Sequence, residues 1–221
     1  NDCKTLTCSF TVTVTDNENP TVTAATDVVT TTSADDTGDC DVAVAITDAI
    51  FGDNCTGSTL AWAMTGAVTA SGSGQVGTYT FPIGVTTITY TVSDAATPAN
   101  TATDIMTVTV TDNENPTITC ATPATNYPAD AGVCTYTVPG TALDPTATGD
   151  NCSIASVVHD YSGGGTTLQG KTFPLGSTTV TWTITDGAGL TAQCQQTIVV
   201  VDTQNPTITC ATPATNYPAD A

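Results

Sequence analysis

Apolar and polar residues alternate with a period of two along much of the chain, the pattern of half-buried strands. The cleanest run is "FPIGVTTITYTVSD" at Phe81–Asp94, where Ile88, Tyr90 and Val92 share one face and threonines the other. No stretch carries apolar residues at helical spacing. In the first half of the chain the alternation predicts strands at Thr21–Thr32, Asp41–Thr47, Leu60–Thr65, Val68–Ser71, Val76–Phe81, Thr86–Ser93 and Thr103–Thr111. Turn-forming stretches separate them: "ADDTGD", "FGDN", "SGSG", "FPIG" and "DAATPAN". About seven short strands in roughly 90 residues predict an all-β, immunoglobulin-like antiparallel sandwich. The Cys–Trp–Cys arrangement of antibody domains is absent, and Trp62 and Trp182 are expected as core aromatics.

The pattern then recurs. "FPLGSTTVTWTITD" at Phe173–Asp186 repeats the run above, and "GDNC" stands at Gly52–Cys55 and at Gly149–Cys152. "TDNENPT" occurs at Thr15–Thr21 and Thr111–Thr117, with a degraded copy, "VDTQNPT", at Val201–Thr207. "NPTITCATPATNYPADA" occurs at Asn115–Ala131 and Asn205–Ala221. Repetition on this scale marks an array of similar units. The expected divisions are 1–16, the last strand of a preceding repeat; 17–112 and 113–202, two complete repeats; and 203–221, the start of a following one. Tandem sandwiches joined end to end through linkers of about five residues follow.

Composition narrows the function. Threonine supplies about a quarter of the residues, as suits a β-protein. There are 21 acids against two lysines, a net charge of −19. That excludes nucleic acid, whose phosphates need basic partners, and disfavours an anionic membrane surface. No apolar run is long enough to span a membrane. A surface this acidic favours cations as partners.

Nine cysteines with no CxxC pair, and a single histidine, His159, point to disulfides and an extracellular compartment. Cys120 and Cys194 occupy slots that hold Ala24 and Asp104 in the first unit. Both cysteines vanish together, so they are expected to pair, joining first strand to last. Cys40 with Cys55, and Cys134 with Cys152, are the remaining expected pairs, across the second and third strands. Cys8 and Cys210 look for partners in other units, and Cys3 is left over.

The chain resembles tandem hyalin repeats (HYR domains). The resemblance rests on "NPTITC" opening a unit, "ATGDNC" in its middle, "FPLGSTTVTWTITDGAGLTAQC" late in it and "CSFTVTVTDNENP" closing it. It implies an immunoglobulin-like extracellular module of the kind found in adhesion proteins and in long surface proteins of bacteria, notably Bacteroidetes. It also implies a structural or adhesive role without catalysis: a segment of a cell-surface filament or adhesin stalk. Its partners would be neighbouring repeats, identical chains in a filament, or glycans or another surface. Repeats that themselves bind a glycan or protein are the alternative, although no unit shows a distinctive aromatic-rich loop. The first unit departs from the family in lacking its first-to-last cysteine pair, and the third junction in carrying Gln204 for glutamate.

A Ser/His/Asp triad would need His159, with Asp160 beside it and Ser153, Ser156 or Ser162 nearby. One histidine without a counterpart in the other unit is expected at the surface. "SGGGTT" at Ser162–Thr167 reads as a hairpin loop, since no lysine or helix start follows it. Asn54 and Asn151 head N-glycosylation patterns that read better as turn formers.

The two glutamates of the chain, Glu18 and Glu114, both lie in the DNENP phrase, and strand parity suggests why. The first strand begins at the end of the sandwich that carries the second–third and sixth–seventh loops. Asp16 and Glu18 are thereby expected beside Asp53, Asn54 and Asp94, and Asp112 and Glu114 beside Asp150, Asn151 and Asp186. Asp35, Asp36 or Asp39 could join the second group. Carboxylates about 4 Å apart repel by roughly 4 kcal/mol at an effective dielectric near 20. Calcium, which takes about 6–8 oxygens, would relieve that repulsion. Asp202 marks a weaker third site. The phrase also resembles the acidic linker before proline in cadherins, and a solvated Asp/Asn/Pro turn would use the same residues.

Overall fold

The computed structural model describes residues 7–35 and 38–212. The chain divides into two units, Asn1–Glu114 and Asn115–Ala221. Cys3 and Asp36 lie outside the described residues.

Among the described residues the first unit holds nine strands: β1 (Thr21–Thr23), β2 (Val28–Thr31), β3 (Asp41–Ala45), β4 (Ile50–Gly52), β5 (Thr59–Gly66), β6 (Ala70–Ser73), β7 (Thr78–Pro82), β8 (Gly84–Ser93) and β9 (Thr101–Thr111). One layer is a five-stranded sheet ordered β2-β9-β8-β5-β6, and the antiparallel pairs β1-β4 and β3-β7 form the other. Period two shows directly in β8, where Thr86, Ile88, Tyr90 and Val92 are buried and the residues between them are not. They meet Met64, Met106, Val108 and Val110 from their own sheet and Val42 and Phe81 from the facing layer. Burying one such apolar side chain contributes about 1.5–3 kcal/mol. The chain crosses between layers within "FPIG": β7 ends at Pro82, and Gly84 (φ 116°) takes a conformation that other residues avoid.

The first predicted strand, Thr21–Thr32, is in fact two. β1 pairs antiparallel with β4, and β2 pairs parallel with β9. Between them two carboxylates hold backbone groups of the linking segment and β9. Asp104 Oδ2 accepts from Ala24 N at 2.8 Å, and Asp27 Oδ1 accepts from Thr107 N at 2.7 Å. β4 was not expected, because "FGDN" reads as a turn.

Among the described residues the second unit holds eight strands: β10 (Thr117–Thr119), β11 (Tyr127–Pro128), β12 (Thr135–Thr137), β13 (Ala147–Gly149), β14 (Ile154–His159), β15 (Thr172–Pro174), β16 (Gly176–Asp186) and β17 (Thr191–Val201). The order β11-β17-β16-β14 makes one layer, faced by the pairs β10-β13 and β12-β15. Its core includes Val138, Leu143, Leu168, Phe173, Val180, Trp182, Ile198 and Val200. Trp182 is fully buried, as is its counterpart in the first unit, Tyr90, whereas Trp62, opposite Tyr90 on β5, is only partly so. "SGGGTT" contributes to a 3-10 turn (Tyr161–Gly163) and a single bridge between His159 and Gly165, with no strand like β6.

His159 is buried and not at the surface, at 3% exposure. Its ring stands edge-on to Trp182 with centroids 5.1 Å apart, and Nε2 lies 3.1 Å from the Thr167 carbonyl. A carbonyl can only accept, so Nε2 carries the proton. Asp160 Oδ1 accepts from Thr181 N at 2.9 Å. Both triad candidates are thus engaged in holding the fold.

Cys120 and Cys194 are joined, with Cα atoms 5.7 Å apart. Cys55 and Cys134 carry free thiols, so the expected pairs Cys40–Cys55 and Cys134–Cys152 do not form. Cys40 and Cys152 are each in a disulfide. Strand direction explains the difference. Cys40 precedes β3, whose Asp41 lies opposite Pro82, beside the start of β8. Cys55 precedes β5, whose Thr59 lies opposite Ser93, the end of β8. The 10 residues of β8 separate them, about 30 Å at strand rise. In the second unit Cys134 and Cys152 are separated in the same way along β16.

Candidate metal centre

Each unit has an entry end, where its first strand begins, and an exit end, where its last strand leaves. In the first unit Thr21 opens β1 opposite Gly52, and the loop from Asp53 to β5 returns opposite Ser93. The segment before Pro20, the β4–β5 loop and the β8–β9 loop therefore meet at the entry end. There Asp16, Asp53 and Cys55 present ligand-capable atoms all within 4.8 Å of one another. Glu18 Oε2 accepts from Asn54 Nδ2 at 3.0 Å, which ties the DNENP phrase to the GDNC loop. Asp53 Oδ2 accepts from Cys55 N at 3.1 Å, while its Oδ1 is buried with no hydrogen-bond partner.

Asp94 lies outside that group of three. Ala96 N and Asn100 N donate to its Oδ1, and Asn100 Nδ2 donates to its Oδ2 at 2.7 Å. Burial pushes its carboxyl up, but these hydrogen bonds outweigh burial and hold it below the usual carboxylate range. Asn100 Nδ2 also reaches the Asp16 carbonyl at 3.4 Å, a link that nothing in the repeat pattern signalled. The Cys55 thiol is pushed up by its hydrogen bond to Asp16, by desolvation and by the charges of Asp16, Asp53 and Asp94. A cleft of about 400 Å³ adjoins it, lined in part by Val14, Asp16, Cys55, Ala95 and Thr97.

The second unit repeats the loop geometry. Asp150 Oδ2 accepts from Cys152 N at 3.0 Å and Ser153 N at 2.8 Å, and Asp150 Oδ1 is buried without a partner. Asp186, at 1% exposure, accepts from Leu190 N through Oδ1 at 2.8 Å and leaves Oδ2 without a partner. Asp150 and Asp186 bring carboxylate oxygens within 4.8 Å of each other. Buried anionic oxygens without donors are costly, and they suit a hard cation.

The phrase itself folds alike in all three copies. Asp16, Asp112 and Asp202 each accept, through Oδ1, the backbone N–H two residues on, from Glu18, Glu114 and Gln204. At the exit of the first unit Asp112 Oδ1 also accepts from Thr32 Oγ1 at 3.4 Å, and Ser33 Oγ donates to Asn113 Oδ1 at 2.9 Å. Asp35 caps β3 through Ala43 N at 2.8 Å. The exit of the second unit uses Gln204 in a way that glutamate could not. Its Nε2 donates to the Ala129 and Asp130 carbonyls at 3.2 and 2.8 Å, and its Oε1 accepts from Gly132 N at 3.0 Å.

Two sandwiches, one carrying a first-to-last disulfide and both carrying acidic entry ends, define a class of tandem extracellular β-module. Residues 111–200 match the HYR domain family model. The chain is 37% identical over 147 residues to hyalin of Strongylocentrotus purpuratus, covering 65% of this chain and 11% of that protein. To hyalin of Lytechinus variegatus it is 37% identical over 134 residues, covering 58% and 23%. The chain thus spans less than a quarter of either relative's length. Both relatives are sea urchin proteins and lend no support to an origin among bacterial adhesins. Among solved structures it is similar to protocadherin gamma B2 extracellular cadherin domains 1-5, with TM-score 0.38, 15% identity, and 87% of this chain and 42% of that one covered. Mouse cadherin-23 EC22-24 gives 0.37 and 13%, with 83% and 67% covered. An HYR domain with a structural disulfide belongs outside the cell, and no helix among the described residues is long and apolar enough to cross a membrane.

Proposed function

We propose that this chain is a non-catalytic spacer segment of a long extracellular repeat protein, forming part of a stiff cell-surface filament or adhesin stalk whose joints calcium rigidifies. The observation that carries the reading is the recurrence of one entry-end loop. Asp53 and Asp150 each cap the GDNC turn with one oxygen and leave the other buried and without a donor. Each unit also takes the chain in at one end and releases it at the other, so each would add the length of its longest strand. β9 and β17 have 11 residues each, about 36 Å at strand rise.

Calcium would be held in the first unit by Asp16 and Asp53, with Glu18 and Asn54 adjoining, and in the second by Asp150 and Asp186. By the repeat, Asp112 and Glu114 are the counterparts of Asp16 and Glu18. Asp94 would orient the loop through Asn100. Asp202 belongs to the weakest site, because Gln204 spends its amide on its own unit. The bound cation would supply positive charge among these carboxylates. The test is isothermal titration with calcium on the whole chain, beside Glu114→Gln. Heat with a dissociation constant near 0.1–1 mM, the range of extracellular modules, and a weaker response in the variant are expected. No heat and no calcium-dependent rise in melting temperature would leave only a solvated turn.

A further inference from the structure

The two loop cysteines of each unit stand at opposite ends, and each slot is disulfide-bonded in one unit and free in the other. Cys40 and Cys134 hold the exit-end slot, immediately before β3 and β12; Cys40 is bonded and Cys134 is an exposed free thiol. Cys55 and Cys152 hold the entry-end slot, in the GDNC loop; Cys152 is bonded and Cys55 is an exposed free thiol. Disulfides need Cα atoms about 4.4–6.8 Å apart. The length of β8 or β16 therefore bars a bond between the two slots of one unit, whatever the oxidant.

We propose that Cys55 and Cys134 are covalent attachment points to neighbouring repeats: Cys55 to the exit-end loop cysteine of a unit before it, Cys134 to the entry-end loop cysteine of a unit after it. Three observations converge. The equivalent slots, Cys40 and Cys152, are oxidised in this same chain. Both free thiols are exposed, Cys55 at the entry end of its unit and Cys134 at the exit end of its own. Cys55 also borders the cleft of about 400 Å³ at its entry end, which leaves room for an incoming loop. Forming each link joins two sulfurs and releases two electrons and two protons. These reduce a small-molecule disulfide to two thiols by exchange through a mixed disulfide. The inference rests on the tandem-repeat reading, but not on calcium.

The test duplicates residues 17–202 within the full chain, so that Asp202 is followed by a second copy beginning at Asn17 and the DNENP phrase is regenerated at the new joint. After folding in a glutathione redox buffer, non-reducing peptide mapping is expected to recover Cys134 linked to Cys55 of the added copy, with two fewer alkylatable thiols than separate units would give. Cys134→Ser should return that Cys55 to the alkylatable pool while the Cys120–Cys194 peptide stays intact. Recovery of the link in chelator as well as in calcium keeps it separate from the metal reading. Free alkylation of both thiols in a chain whose Cys120–Cys194 bond has formed would overturn the proposal. So would a link from Cys134 to Cys152 or from Cys55 to Cys40 within one unit.

Discussion

Asp186→Asn should remove most of the second unit's dependence on calcium. The wild-type carboxylate is 1% exposed and brings an oxygen within 4.8 Å of an Asp150 oxygen. At an effective dielectric near 20 that pair repels by at least about 3.5 kcal/mol. The N–H groups of Cys152, Ser153 and Leu190 offset part of it, leaving a surplus of about 1–2 kcal/mol. Asparagine keeps the acceptor for Leu190 N and removes the charge. In chelator the variant should therefore melt about 5–10 °C higher, since 1 kcal/mol is worth roughly 4–8 °C in a domain this size. In 10 mM calcium the wild type should gain about 1.4–2.7 kcal/mol if the dissociation constant is about 0.1–1 mM, and the variant little. The assay is fluorescence-monitored melting in a Trp62→Phe background, where the buried Trp182 reports the second unit. A variant that is less stable in chelator, or that gains as much from calcium as the wild type, would refute the reasoning.

Three further outcomes are expected. Asp94 and Asp104 both have carboxyls held below the usual range, Asp104 by the N–H groups of Ala24 and Ile105. Their contribution is present above the unfolded carboxylate value near 3.9 and is lost as pH falls through the folded values. Melting of the first unit should hold steady above about pH 5 and drop below pH 4, with Asp104→Asn flattening the drop. Replacing Cys120 and Cys194 together by serine opens a loop of 74 residues and should cost the second unit about 2–4 kcal/mol in denaturant unfolding. Gln204→Glu sets a carboxylate against the Ala129 and Asp130 carbonyls and should destabilise the second unit by about 1–3 kcal/mol in the same assay.

The long strands were legible because β8 and β16 alternate strictly, and a single period fixes both their faces and their place in the core. The break after Thr23 was not: Ala24–Asp27 has no glycine or proline, and the crossing is held by Asp104 of β9, which accepts from Ala24 N, and by Asp27, which accepts from Thr107 N of β9. Joint absence led to Cys120 and Cys194, since losing one half of a bond removes the use of the other. Loop spacing misled for Cys40 and Cys55, because short separation along the chain says nothing of which end of a strand a residue occupies. Strand parity, used for the carboxylates, already excluded that pair. His159 gave no local sign of burial; its place depends on Trp182 and on a carbonyl eight residues ahead. At the entry end, Asp16 and Asp53 were legible from the repeat. Cys55 within ligand range and the locking of Asp94 by Asn100 depend on loop conformation.

The parallel pairing of an early strand with the last one has a mechanical meaning. A pull between the entry and exit of a unit drags β2 and β9 past each other, and likewise β11 and β17. The ladder is then loaded in shear along its whole length and does not unzip one rung at a time. The first unit resists with the four-residue register of Val28–Thr31 against Val108–Thr111, and it can pay out its whole contour once that patch slips. The second has only Tyr127–Pro128 against Val200–Val201, yet the Cys120–Cys194 bond lies between the points of load. That bond withholds 74 residues of slack, about 250 Å of extended chain. One unit is thus an extensible link and the other a nearly inextensible one, and exchanging the Ala24/Asp104 and cysteine slots would exchange those characters.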